Sequence, residues 1–254
     1  MSRGIPRFVF AIALFTMLFA CEDDPCEGVD CSGHGTCLYT KDRTPYCDCD
    51  PGYWPDGLQC VMDSNNVEKP LIYLYPGEVL EVEVRFPQAF SEFLTHTYPA
   101  YEDGWRVVAH PDGTLVDPAT GGRYYGLYWE AELPVGPRPV EGFVVPGADT
   151  AAFLEEALAR LGLNWREAGE FIIYWLPVLE WAPYNFIHFA TTAWEAAAPL
   201  EVTPPPDTRI RFLMRYEPLD VAPSSLPPPQ TLTAPPRVGF TLVEWGGARL
   251  EEAR

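Results

Sequence analysis

The seven cysteines of this chain all fall between Cys21 and Cys60, and the 194 residues that follow contain none. That division constrains the fold more than any other feature. A stretch of about 35 residues cannot bury enough apolar surface to hold itself together, so it needs crosslinks. The long remainder must fold on packing alone. What precedes the cysteines says where crosslinks would form. Arg3 and Arg7 give a positive start, and Phe8 to Ala20 is an apolar run of 13 residues broken only by Thr16. A spanning helix needs about 20 apolar residues, so the run is too short to cross a membrane. A charged start, a short apolar stretch and a small residue before a cleavage point read as an export signal over residues 1–20.

The run closes on Leu18-Phe19-Ala20-Cys21, which resembles a bacterial lipobox. The resemblance implies that Cys21 receives diacylglycerol and becomes the new N-terminus. It also accounts for an odd seventh cysteine in an exported chain, which otherwise calls for an explanation. Each buried methylene adds about 0.8 kcal/mol, so several acyl chains hold firmly where one is marginal. The expected partner is therefore a membrane, reached through a lipid anchor on a short tether over 21–25. The expected location is the bacterial cell envelope, periplasmic or surface-exposed.

The other six cysteines are spaced C-x4-C-x5-C-x9-C-x-C-x10-C. Six cysteines alone allow 15 pairings. Between Cys31 and Cys37 lies Ser32-Gly33-His34-Gly35-Thr36, and Cys47-Asp48-Cys49-Asp50-Pro51-Gly52-Tyr53 precedes Cys60. These segments resemble an epidermal growth factor-like domain over 26–60. The resemblance implies the pairing Cys26–Cys37, Cys31–Cys47 and Cys49–Cys60. Zinc is the competing use of clustered cysteines, but its usual C-x2-C pairs are missing and His34 is the one histidine here. Calcium-binding relatives of this domain carry Asn or Asp where this chain has Tyr39, so no calcium is expected in the module. A spacer or a protein-contact surface is its expected role.

Residues 61–69 read as a polar linker. From Pro70 to residue 254 the chain is apolar, aromatic and proline-rich, long enough for one cored domain. Leu80, Val82, Val84 and Phe86 alternate with Glu81, Glu83 and Arg85, which predicts a half-buried strand. Trp105–Ala109 and Thr114–Val116, joined through Asp112-Gly113, predict a hairpin. Further strands are expected at 71–75, 124–133, 186–192, 210–216 and 238–245. Phe153, Leu154, Ala157, Leu158 and Leu161 form one helical face after Asp149 or Thr150, and Gly162 closes it. Asn164 with Glu167 predicts a capping box and a second, short helix. The fold class is α+β: a small disulfide-rich module, then an antiparallel, sheet-dominated domain with one or two helices.

The large domain also resembles a family of uncharacterised bacterial proteins, on Lys69-Pro70-Leu71-Ile72-Tyr73-Leu74-Tyr75-Pro76, Phe171 to Pro177, Tyr184 to Phe189 and Glu244-Trp245-Gly246-Gly247. That resemblance spans 69–247 and implies no activity.

Net charge is −19 and becomes about −21 once Arg3 and Arg7 leave with the signal. No Lys/Arg cluster exists to meet phosphates, so no nucleic-acid partner is expected. No nucleophile elbow, P-loop, dinucleotide fingerprint or H-E-x-x-H occurs, and no cofactor or metal is expected. Seven of the eight tryptophans lie after Cys60. Such rings either fill a core or offer flat faces to sugars and peptides. Candidate ligand-binding residues are Trp129, Glu130, Asn185, His188, Glu244 and Trp245. The expectation is a tethered, non-enzymatic binding domain for a glycan, peptide or protein. The alternative is a glycan-active hydrolase using two of Glu130, Glu180 and Glu244, which requires two carboxyls roughly 5–9.5 Å apart across a cleft.

Overall fold

The computed structural model describes residues 24–50, 53–62, 66–133 and 138–250. The expected export signal and Cys21 lie outside them. The chain divides into two compact units, 1–61 and 62–254.

In the first unit, β1 (Gly35–Tyr39) pairs antiparallel with β2 (Pro45–Cys49), and β3 (Tyr53–Asp56) pairs with β4 (Gln59–Met62). Three disulfides join Cys26 to Cys37, Cys31 to Cys47 and Cys49 to Cys60. The core is hardly more than these bridges: Cys31, Cys47 and Cys60 are its buried members. Their sulfurs lie within 4.8 Å of one another, but each is already covalently paired. The close approach explains Gly35, where an added Cβ would stand 2.7 Å from the Cys60 sulfur.

The second unit begins with β5 (Asn66–Tyr75) and β6 (Leu80–Arg85), followed by α1 (Gln88–Ser91) and β7 (Leu94–Tyr98). A short meander comes next, β8 (Trp105–Ala109), β9 (Leu115–Val116) and β10 (Arg123–Tyr124), and then β11 (Leu127–Glu132). After β12 (Phe143–Pro146) come the two long helices, α2 (Thr150–Arg160) and α3 (Trp165–Leu179). The chain ends its regular structure with β13 (Tyr184–Ala190), α4 (Thr192–Ala197), β14 (Glu201–Thr203), β15 (Thr208–Leu219) and β16 (Thr241–Arg249).

These strands form a seven-stranded sheet, β12-β13-β15-β16-β5-β11-β7, and a five-stranded sheet, β10-β9-β8-β6-β14. The larger sheet is buried on both faces. Ile72, Leu74, Leu127, Trp129, Leu213 and Leu242 share a core with Val82, Val84, Trp105 and Val107 of the smaller sheet. Alternate residues on the same strands (Tyr73, Ile187, Phe212, Met214, Val243 and Trp245) share a second core with Leu154, Leu158, Phe171 and Trp175 of the helices. The period of two therefore carries apolar side chains to both faces, as a central layer requires. The result is three layers, sheet on sheet on helices, an α+β architecture dominated by antiparallel pairing.

Four features differ from the sequence reading, each for a physical reason. The polar stretch 61–69 is not linker throughout. Asn66–Lys69 belong to β5, and Val67 is buried in the inter-sheet core. The helix after Asn164 is long, not short. Its capping box forms, with Asn164 accepting from the Arg166 and Glu167 amides and Glu167 accepting from the Asn164 amide. The helix then runs through Pro177. Proline forfeits one backbone bond, to the carbonyl of residue 173, and Ile173 is exposed, so solvent can donate there. Phe171, Trp175 and Leu179, spaced by four, keep the buried face continuous. The strand expected over 124–133 breaks at Tyr125-Gly126, where the chain leaves the small sheet for the large one.

The fourth difference is one parallel pair, β15 with β16. A parallel pair needs a crossover, usually a helix. Here the crossover is residues 220–240, irregular and rich in proline. Its polar side chains hold it down. Gln230 accepts from the Phe189 amide and donates to the Phe189 carbonyl, standing in for a strand neighbour past the end of β12. Arg237 pairs with buried Glu167 and donates to the Gly162 carbonyl.

Candidate functional site

Glu244 was a candidate both for ligand binding and for catalysis, and it is wholly enclosed between the two sheets. It accepts from the indole of Trp129 at 2.9 Å and that of Trp194 at 3.1 Å. Arg211, its neighbour across the parallel ladder, donates from Nε at 2.7 Å and also hydrogen-bonds the Ala198 carbonyl. Both charged side chains are essentially inaccessible, at 1% and 0% exposure. Trp129 stacks on Trp194 with centroids 5.8 Å apart, inside a cluster with Phe86 and Phe90. This is a structural ion pair that ties three strands and α4 together.

The other candidates are dispersed. Asn185 is buried and donates to the Leu179 carbonyl, which fastens the end of α3 to β13. His188 is half-buried on the opposite face of β13, its Nδ1 3.1 Å from the Glu141 carbonyl, and burial lowers its pKa. Glu180 is exposed at the C-terminal cap of α3. Glu130 follows Trp129 on β11 and so points to the other face of the sheet from Glu244. The three carboxylates considered for hydrolysis therefore do not meet across one cleft. Of the tryptophans, Trp105, Trp129, Trp175, Trp194 and Trp245 are core residues, whereas Trp165 and Trp181 are exposed.

A concave aromatic surface exists all the same, and tyrosines build it. On the helix-facing side of the large sheet lies a groove of about 520 Å³. Leu71, Tyr128 and Trp245 line it from the sheet, and Ile173 and Tyr174 from α3. Tyr98 and Tyr125 complete it, and both are more than half exposed. Three sequence segments converge here: Lys69–Tyr75, Phe171–Pro177 and Glu244–Gly247.

A bulge in β5 shapes the polar end of the groove. Registers with both β11 and β16 shift by one residue beside Lys69, which holds a left-handed φ of 57°. The extra residue turns Lys69 to the same side as Glu68, as bulges re-aim side chains. The Lys69 ammonium then sits 5.2 Å from the Tyr128 ring centre and 5.3 Å from that of Tyr174. It pairs with Glu130 at 2.8 Å, whose second oxygen is 3.4 Å from His96 Nδ1. Tyr174 donates to Glu68 at 3.0 Å, and Tyr73 to Glu170 at 2.5 Å. Burial, and then these carboxylates, raise the pKa of Tyr73 and Tyr174; burial and Glu130 do the same to Tyr128. The phenols stay protonated at neutral pH.

The glycines of Glu244-Trp245-Gly246-Gly247 leave room for the floor. A Cβ on Gly246 would stand 2.9 Å from Pro70, and one on Gly247 2.3 Å from the Trp175 ring. Of the residues singled out from the sequence, Trp245 lines the groove and Glu130 pairs with its Lys69. The tyrosines are not among the residues expected from the sequence, whose aromatic candidates are the tryptophans Trp129 and Trp245. The signal was present in the pairs Tyr128-Trp129 and Tyr174-Trp175: on the strand the neighbour of a core tryptophan faces the other side, and on the helix it lies about 100° round the axis. No protein-family model, curated protein or solved structure matches the chain.

Proposed function

We propose that this chain is an exported lipoprotein, anchored through Cys21, whose epidermal growth factor-like module holds out a non-enzymatic binding domain. The ligand, a glycan, peptide or protein, takes the tyrosine groove. The observation that carries the reading is the groove itself. Its volume falls within the range of about 300–1,000 Å³ usual for ligand sites, and it joins an apolar aromatic lining to a few fixed polar groups. The three disulfides support an oxidising compartment, and the leader supports export.

Two experiments test the two halves. Expressed in a bacterium fed a labelled fatty acid, the full chain should incorporate label, and Cys21→Ser should abolish it; label retained in the variant refutes the anchor. On glycan and peptide arrays the purified full chain should bind a restricted set of ligands. Tyr98→Leu with Tyr125→Leu, both at exposed positions, should weaken that binding about tenfold or more while leaving the melting temperature unchanged. An array silent for the unmodified chain, or binding indifferent to both substitutions, refutes the groove as the site.

A further inference from the structure

We infer that α3 is the contact helix of a homodimer, in which two copies of this chain cross antiparallel at Gly169. The helix is apolar on both sides. Its inner face, with Phe171, Trp175 and Leu179, fills the second core. Its outer face carries Trp165 and Ile173, 86% and 77% exposed, and exposed Pro177 follows. From Phe171 to Leu179 no side chain is charged. A helix that is apolar all round is normally a covered helix. The neighbouring α2 shows the ordinary solvated case, since Glu155, Glu156 and Arg160 are exposed on it. The outer face of α3 is therefore built for a partner.

The shape of that face selects a second copy. Trp165, Gly169 and Ile173 stand four apart and form one ridge of the helix. Gly169 is a gap at its middle, where an added Cβ would meet nothing within 4 Å. The two large side chains lie at equal distances from the gap, about 6 Å along the axis on either side. Two such ridges crossing antiparallel at the gap set Trp165 of each copy against Ile173 of the other. That is the reciprocal contact a two-fold axis requires. Charge agrees. Arg166 and Glu170, 3.6 Å apart, flank the gap on one side of the ridge. Facing its own reversed image, this pair sets base beside acid twice. Ile173 also walls the tyrosine groove, so the partner's Trp165 stands at the rim of that site.

The test uses the full chain carrying Cys21→Ser, so that no lipid drives association. Sedimentation velocity should show a reversible dimer. It should tighten as sodium chloride is raised, because salt screens the repulsion between two copies of net charge −19. Ile173→Asp should weaken it about tenfold or more, and so should Gly169→Leu, which fills the gap; circular dichroism should stay unchanged in both. The six cysteines of the module are paired, so Gly169→Cys adds a single free thiol, which should link copy to copy at the two-fold on oxidation. Trp165→Cys should link poorly alone and well when mixed with Ile173→Cys. A chain that stays monomeric at its highest soluble concentration overturns the inference, as does a dimer indifferent to both substitutions. A Gly169→Cys chain that does not link overturns the antiparallel crossing. Binding of a monomer to phosphatidylcholine vesicles, lost in Ile173→Asp, gives the face to a membrane and overturns the dimer. The dimer is read without any ligand, so its failure leaves the tyrosine groove standing, and silent arrays leave the dimer standing.

Discussion

Arg211→Met will lower the unfolding free energy by about 3–5 kcal/mol, the usual cost of stranding one charge of a buried pair. The reason is the enclosure of Glu244. Its carboxylate lies inaccessible between two sheets, and among the described residues Arg211 is the one positive charge that hydrogen-bonds it. The two indole N–H groups of Trp129 and Trp194 remain after the substitution, but neutral donors do not balance a full charge. Glu244→Leu should be similarly costly, because it strands Arg211 and removes the acceptor from both indoles at once. The double variant, with neither charge, should cost less than the sum of the singles by about 1.5 kcal/mol or more. Urea unfolding of the four proteins measures this. Strict additivity would mean that the two side chains do not act as a pair.

Reduction should separate the two units. Dithiothreitol opens three bridges whose partners are 11, 16 and 11 residues apart. Chain entropy assigns roughly 3 kcal/mol to a bridge closing a loop of this size, and the module has little other core. Its amides should exchange freely once reduced. The second unit has no cysteine, and its two cores consist of aliphatic and aromatic side chains. Its melting transition should not move. Hydrogen exchange read by mass spectrometry separates the units by peptide, and protection kept in 31–60 after reduction would refute a bridge-dependent module.

The elements that could be read from the sequence were those with a local cause. The alternation at 80–86, the Asp112-Gly113 turn and the capping box of Asn164 and Glu167 each fix a structure within a few residues, and each is present. What escaped was set by partners distant in the chain. Glu244 looks like a surface acid until Arg211, Trp129 and Trp194 surround it. Lys69 looks like linker until the bulge in β5 turns it between Tyr128 and Tyr174. The helix expected to be short after Asn164 runs on through Pro177 because Phe171, Trp175 and Leu179 keep one buried face. The groove was hidden for the same reason, since its lining comes from β5, β11, α3 and β16 together with Tyr98 and Tyr125, and no local period links them.

The position of β16 has a consequence in time. Among the described residues it is the last strand in chain order, yet it stands fourth of seven in the sheet, between β15 and β5. Until it arrives, β7-β11-β5 and β15-β13-β12 are two half-sheets with open edges and no common ladder. It also brings Glu244 to Arg211 and Trp245 to the groove. Neither core is complete until β16 is in place, because Leu242 and Ala248 belong to one and Val243 and Trp245 to the other.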